Sequence, residues 1–191
     1  MKRCTLPFLA LALMLVTACS APEGRTAAEQ RAYAIMVRNE ALAELYERKP
    51  EAKAKLESAP GYLFMSGFSL HPGIGTFANA YGIVHNNRAN TQTHIRLTRF
   101  GLGPGIAVKG YYLVVILNSD EAVAAVESGR WVGGGLAEAS FHFGDFGGSA
   151  CAEGLGGGDA VESFVWTHTG VALELAAGFG KVYPEDELNV Q

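Results

Sequence analysis

The sequence predicts an α+β domain, in which N-terminal helices precede a twisted, mostly antiparallel sheet or barrel-like β-unit with one short inserted helix. Two observations predict this class. Apolar residues between positions 27 and 58 follow helical spacing, whereas the chain from Tyr62 onward alternates glycine with apolar, aromatic and β-branched runs. The chain of 191 residues shows no internal repeat and no linker that would divide the β-unit. A single domain over residues 26–191 is therefore expected.

Two helices are predicted at the start of this domain. Thr26 and Glu29 have capping-box spacing, which predicts the beginning of a helix over about residues 27–48. Pro50 suits a first-turn position, and it predicts a second, shorter helix that ends at about Ser58.

A third helix is predicted between Leu117 and Trp131. Asn118 can cap its first turn, Glu121 lies in that turn, and Gly129 ends the helix. This helix is the predicted insertion in the β-unit.

The remaining apolar runs predict strands. Residues 86–90 favour a hairpin turn because they tolerate a left-handed backbone, and Thr169-Gly170 favours a second turn. Apolar residues alternate with smaller or polar ones from Val171 to Phe179, which is typical of a strand with one wet face. The predicted strands are Tyr62–Phe68, Tyr81–His85, Thr91–Phe100, Tyr111–Leu117, Leu136–Phe143, Val161–Thr167 and Val171–Phe179.

The N-terminus has the pattern of a targeting segment. Lys2 and Arg3 precede an apolar run from Leu6 to Val16, which is too short to cross a hydrocarbon core of ~30 Å. Small residues then lead directly to Cys19. One interpretation of this pattern is an ordinary secretory signal in which the cysteine occurs by chance.

Residues 16–19, Val-Thr-Ala-Cys, resemble the lipobox of bacterial lipoproteins. The resemblance implies removal of residues 1–18 as a signal peptide, and acylation of Cys19 with diacylglycerol and a further acyl chain such as palmitate. Residues 19–25 would then be a lipid-anchored linker. Ser20 follows the cysteine, which in a Gram-negative source implies an outer-membrane lipoprotein that faces the periplasm.

Charge is unevenly distributed along the chain, whose formal net charge is −4. Residues 58–119 contain no Asp or Glu but include Arg88, Arg96, Arg99 and Lys109. One interpretation is a local surface that attracts anions. The other is that the middle and C-terminal strands are neighbours whose charges pair across the sheet. Nothing in this pattern favours a nucleic-acid partner.

The first hairpin offers a candidate binding surface for lipid head groups. If Ile95 faces the core, His94 and Arg96 face water on the other side of the strand, and Arg99 lies near enough to its end to reach solvent. Guanidinium groups suit phosphate because their donors form a planar fork. The predicted head-group residues are Arg88, Arg96, Arg99 and Lys109.

Other motifs give no catalytic, metal or cofactor site. Residues 73–78 match a dinucleotide-binding pattern, but Pro72 precedes them and a strand-like run follows, so a glycine-rich turn is expected. Residues 144–158 favour a glycine-rich hairpin connection or bulged strand. The histidines lack metal-ligand spacing, and the serines lack a nucleophile-elbow context. Cys151, the one cysteine that is neither removed nor lipidated in this interpretation, is expected to be a buried hydrophobe or a reactive thiol.

The order of segments resembles the SYLF-domain family, in its bacterial lipoprotein branch. The likeness spans about residues 28–189 and lies in three stretches: Gly82–Asn87 with Thr91–Leu97, Gly101–Leu117 with Ser128–Gly135, and Thr169–Leu175 with Lys181–Asn189. The resemblance implies a non-enzymatic module that binds acidic phospholipid. It assigns no individual binding residue of this chain.

The sequence thus predicts an envelope lipoprotein that is held in the membrane by Cys19 and binds anionic phospholipid through its β-unit. The alternative is a structural or protein-interaction lipoprotein that holds an envelope protein and has no lipid site of its own. A hydrolase is a remote third option, with Cys151 as its only obvious thiol.

Overall fold

The computed structural model of the chain describes residues 21–130, 132–143, 146–153 and 162–190, with the backbone alone for 132–153. The predicted signal peptide and Cys19 lie outside these residues, as do residues 144–145 and 154–158 of the predicted glycine-rich connection and Val161, the first residue of a predicted strand. The elements are α1 Ala27–Arg48, α2 Glu51–Ser58, β1 Gly61–Asn86, β2 Thr91–Leu117, α3 Asp120–Glu127, β3 Val132–Phe143, β4 Phe146–Glu153, β5 Ser163–Pro184 and α4 Asp186–Asn189.

The described elements confirm the α+β class, with helices first and an antiparallel sheet after them. The sheet has the order β1-β2-β5-β3-β4, and each of its pairings is antiparallel. It is an open sheet with β1 and β4 at its edges, so the sheet alternative of the prediction is the one observed.

The first two helices begin where the sequence predicts. Thr26 Oγ1 accepts a hydrogen bond from the Glu29 backbone N–H at 3.2 Å, and Glu29 Oε2 accepts one from the Thr26 N–H at 3.1 Å. Both halves of the capping box are therefore present at the start of α1. Pro50 directly precedes α2.

The predicted inserted helix is α3, and its cap differs from the prediction by one residue. Ser119, rather than Asn118, accepts a hydrogen bond from the Ala122 backbone N–H at 3.1 Å. Glu121 lies in the first turn as predicted. Gly129 adopts φ +68° just after the helix, a left-handed conformation that glycine tolerates well.

The strands are much longer than the sequence predicts. Both predicted strands from Tyr62 to His85 belong to β1, and the turn at residues 86–90 separates β1 from β2 as predicted. The predicted turn at Thr169-Gly170 is wrong, because β5 continues through it. Gly170 has φ +98° there, beside a β-bulge at Gly110/Tyr111, so the local turn signal marks an irregularity within a strand.

β1 doubles back on itself, although it is one continuous strand. Its bend lies at Gly73, which has φ +135° beside a bulge. Ser69 and Thr76, on either side of the bend, are joined by a hydrogen bond of 3.2 Å. Further along, the Gly82 backbone packs so closely against Phe64 that a Cβ would lie 2.0 Å from the Phe64 carbonyl oxygen. Because β2 pairs with β1 along its length, the sheet folds over and has an inner and an outer face.

The hydrophobic core occupies the inner face and the base of the outer face. Side chains of β1, β2 and α3 form the inner cluster, which includes Leu63, Met65, Leu113 and Val115. On the outer face, α1 and α2 pack on the ends of the strands through a second cluster that includes Leu42, Leu56, Phe64, Val114 and Trp166. The helices thus cover the base of the folded sheet, at the opposite end from its bend.

Candidate functional site

The four basic residues predicted to bind head groups do not form one exposed surface. Arg88 is exposed in the β1–β2 turn and Arg96 is partly exposed. Arg99 and Lys109 are only 7% and 1% exposed, so the expectation that they meet solvent is wrong. The physical reason is the alternation of β2, which places these two odd-numbered residues on the inner face with Ile95.

Three of these bases lie against acids from the C-terminal third of the chain. The ion pairs are Arg88 Nη1–Asp120 Oδ2 at 2.5 Å, Arg96 Nε–Glu185 Oε2 at 2.7 Å and Lys109 Nζ–Glu174 Oε1 at 2.5 Å. Arg99 also has an interaction partner. The interpretation that the middle and C-terminal strands are neighbours whose charges pair across the sheet is therefore confirmed for Lys109 of β2 and Glu174 of β5. Arg88 and Arg96 instead pair with acids outside the sheet, in α3 and just before α4.

His94 is the other residue whose predicted exposure is wrong. It is 5% exposed, because α4 covers the start of β2. Asn189 holds the two elements together: its Oδ1 accepts from the His94 backbone N–H at 2.7 Å, and its Nδ2 donates to the His94 carbonyl at 2.9 Å. Burial of the ring lowers the pKa of His94 below its ordinary value.

A buried ion cluster connects three neighbouring strands, β1, β2 and β5, near the bend. It consists of His71 on β1, Lys109 on β2 and Glu174 on β5, whose side chains are at most 1% exposed. Glu174 contacts Lys109 through one carboxylate oxygen and His71 Nδ1 through the other, at 2.8 Å. His71 Nε2 donates to the Gly103 carbonyl oxygen at 2.8 Å. Both ring nitrogens and both carboxylate oxygens of this cluster thus have contacts, and the contacts join side chains of three different strands.

The outer face at the bend is a continuous exposed surface of large apolar side chains, which we call the apolar crest. It is the opposite face of the same strand segments that hold the buried ion cluster. Phe100, Ile106 and Val108 of β2 lie directly opposite Phe179, Leu173 and Val171 of β5, so their side chains share a face. The crest comprises Ile74, Phe77, Phe100, Leu102, Ile106, Val108, Val171, Leu173, Leu175 and Phe179.

The crest concentrates nearly all the exposed large apolar side chains of the described residues. Apart from its ten members, Met36 and Val190 are the only others in the described part of the chain. Leu102, Ile106 and Leu173 are 72%, 71% and 69% exposed. Scattered exposed hydrophobes are normal on a soluble surface, but a contiguous group of this kind indicates an interaction site.

Polar aromatic groups and a lysine border the crest on its two slopes, which are the strand segments on either side of the bend. On one slope, the rings of Tyr112 and His168 are stacked with their centroids 4.2 Å apart. Trp166 Nε1 donates a hydrogen bond of 3.0 Å to Glu44 Oε2. On the other slope, Lys181 is exposed two residues after Phe179 on the same face of β5. Amphipathic rings and snorkelling cations are typical of the boundary between an apolar phase and water.

Sequence reasoning missed the crest because it assumed that the larger residues of an alternating strand face the core. Residues 171–179 do the reverse: Leu173 and Leu175 are exposed, whereas Ala172 and Glu174 are buried. One signal was available in the sequence. Residues 70–78, 100–108 and 171–179 contain only His71 and Glu174 as ionisable residues, and such charge depletion in three neighbouring strands indicates an unusual surface.

In the described part of the chain, residues 73–78 do not have dinucleotide-site geometry and the histidines join no metal-holding group. Residues 73–78 form the bend of β1 and lead into more strand, so the dinucleotide-binding geometry is not present there. Within the described ranges, no group of three or more His, Cys, Asp or Glu side chains has the geometry to hold a metal ion. The same residues contain no helix that is both long and apolar enough to cross a membrane.

Comparison with known proteins does not assign the chain to a class. No family model and no curated protein matches it. The SYLF-domain membership expected from the order of segments therefore stays a prediction.

Proposed function

We propose that the chain is a lipid-anchored lipoprotein of the bacterial envelope that binds acidic phospholipid without catalysing a reaction. In this proposal, acylated Cys19 holds the protein in the membrane, in the outer membrane facing the periplasm. The lipobox-like residues 16–19 support the anchor, and the resemblance to the SYLF-domain family supports the lipid ligand.

The single observation that supports this function best is the apolar crest. Ten large side chains that remain in water are costly, since burial of a Leu or Ile side chain stabilises by about 1.5–3 kcal/mol. A chain that is anchored to a bilayer meets lipid at all times. Phospholipid is thus the apolar partner that the proposed anchor would bring within reach.

The preference for anionic lipid is assigned here to Lys181 rather than to the basic residues that the sequence suggested. Arg99 and Lys109 are buried, and Arg88 and Arg96 lie against acids. Lys181 is exposed beside the crest, where it would lie at the level of the lipid phosphates. A basic residue at an anionic membrane surface contributes about 1 kcal/mol, and less at high salt.

Vesicle sedimentation tests the proposal on residues 20–191, which lack the anchor. We expect the protein to sediment with vesicles of phosphatidylcholine and phosphatidylglycerol more strongly than with phosphatidylcholine alone, and the difference to shrink at high salt. Lys181→Gln should reduce this difference by about fivefold, which corresponds to about 1 kcal/mol. The matched control is Lys53→Gln, which removes the same charge from an exposed position on α2.

Failure to sediment with either type of vesicle would contradict a lipid site in the domain. Cys19 would then be the only membrane contact, and the protein-interaction lipoprotein would become the preferred function. An effect of Lys53→Gln as large as that of Lys181→Gln would show that net charge, rather than the border of the crest, determines the preference.

A further inference from the structure

We infer that the apolar crest enters the hydrocarbon of a single leaflet, so that the domain is embedded by its bend as well as anchored by its N-terminus. This inference rests on the proposed function, because it requires the chain to reside at a membrane. It adds the depth, the orientation and the residues of the contact, none of which follows from binding to head groups.

The dimensions of the crest fit one leaflet. Crest residues on β2 run from Phe100 to Val108, and the bend lies near Pro104, halfway between them. Four strand residues span about 13 Å, so each slope of the crest is about that deep. Half of a ~30 Å hydrocarbon core is about 15 Å. The crest therefore matches a leaflet in depth and is too short to cross the bilayer.

The chemistry of the crest also fits hydrocarbon, because the crest segments (residues 70–78, 100–108 and 171–179) have their ionisable side chains on the inner face. The only ionisable residues within the three crest segments are His71 and Glu174. Both are buried on the inner face, where they pair with each other, and Glu174 also pairs with Lys109. An unpaired charge in a bilayer is expensive, whereas charges that pair inside the protein are tolerated.

At the bend, some backbone polar groups are hydrogen-bonded, and one residue has no N–H. In hydrocarbon, unsatisfied N–H and C=O groups are costly, so the residues that the pairing of β1 with β2 leaves out are critical. These residues are Ile74 of β1 and Gly103 and Pro104 of β2. The Gly103 carbonyl accepts a hydrogen bond from His71 Nε2. Pro104, the next residue, has no N–H to satisfy. On either side of Gly103 and Pro104, the residues Leu102 and Gly105 are paired with residues of both β1 and β5.

The borders of the crest fix the orientation of the domain in the membrane. Tyr112 and Trp166 on one slope, and Lys181 on the other, would lie at the level of the head groups. α2 lies at the far end of the strands, where Asn87 donates one hydrogen bond to the Leu56 carbonyl near the end of that helix and another to the Ala59 carbonyl just after it. The helices at the base would thus remain in water while the bend is immersed.

A fluorescent probe on the full, lipidated chain tests this arrangement directly. Ile106→Cys in a Cys151→Ser background is labelled with an environment-sensitive dye and reconstituted into vesicles of phosphatidylethanolamine and phosphatidylglycerol. Lys53→Cys in the same background is the control, because this exposed position is on α2. Far-ultraviolet circular dichroism confirms that each labelled variant is folded, and Leu173→Cys gives a second crest position.

We expect the dye at Ile106 to emit at shorter wavelength in vesicles, to be quenched by lipids brominated on the acyl chain, and to be protected from aqueous iodide. The dye at Lys53 should show the opposite response. Flotation of the chain with vesicles while the Ile106 dye remains open to iodide would overturn leaflet insertion and leave the membrane function intact. A dye protected from both iodide and the brominated lipids would overturn leaflet insertion and indicate that a protein partner or a second copy of the chain covers the crest. A chain that does not float would overturn both proposals.

Discussion

Replacing Glu174 by glutamine removes the only carboxylate of the buried ion cluster while preserving the shape of the side chain. Lys109 is 1% exposed, and it would then lose the carboxylate oxygen that lies 2.5 Å from its Nζ. Removing one member of a buried ion pair typically costs about 3–5 kcal/mol. For a domain of this size, that loss corresponds to a melting temperature lower by about 6–20 °C.

Urea denaturation followed by tryptophan fluorescence measures this loss. The matched control is Glu162→Gln, because Glu162 pairs with Lys55 at 2.7 Å with side chains that are 43% and 46% exposed. An exposed pair is worth less than about 1 kcal/mol. Adding Lys109→Met to Glu174→Gln should recover part of the lost stability, since an apolar side chain replaces the buried amine that lost its carboxylate contact. Equal costs for the two glutamine variants would refute the argument that the cluster is a compensated buried site.

Three further predictions concern the packing, capping and ionisation of the fold. Gly82→Ala should destabilise the protein by about 1–3 kcal/mol or prevent folding, because its Cβ would lie 2.0 Å from the Phe64 carbonyl oxygen. Gly75→Ala is its control and should be near neutral in the same urea titration, since the nearest atoms are 3.9 Å away. Thr26→Ala should cost about 1 kcal/mol by removing the cap of α1, and an unchanged unfolding midpoint would contradict that role. Burial lowers the pKa of His94, so the unfolded chain binds more protons than the native one below about pH 6.5. Stability should therefore fall on acidification from pH 7 to pH 5, and His94→Gln should make that fall shallower.

Local signals in the sequence predicted the helices well. The capping box at Thr26 and Glu29 defines the start of α1 through two hydrogen bonds that involve only neighbouring residues. Gly129 ends the α3 region for an equally local reason, its positive φ. Such signals depend on the chain within a few residues, and a single sequence contains them in full.

The strands were harder to predict because their form depends on distant segments. Thr169-Gly170 has the composition of a turn, yet β5 continues through it because β2 offers a partner along its whole length. A lysine is solvated in most strand contexts, but Lys109 is buried here because the side chain of Glu174, more than sixty residues later in the sequence, contacts it from β5. The crest was missed for the same reason: which face of a strand is buried is decided by what packs on it, and here the helices cover only the base.

The buried ion cluster has a consequence for how the strands are aligned. Around the bend, the inner positions are mostly small, so hydrophobic packing alone specifies the pairing of these strands weakly. His71, Lys109 and Glu174 come from three different strands, and they meet in only one alignment. If β5 slipped by one residue against β2, Glu174 would move to the outer face and Leu173 or Leu175 would replace it beside His71 and Lys109. The cluster therefore favours the observed strand register over the one-residue shift that would expose a carboxylate in the middle of the crest.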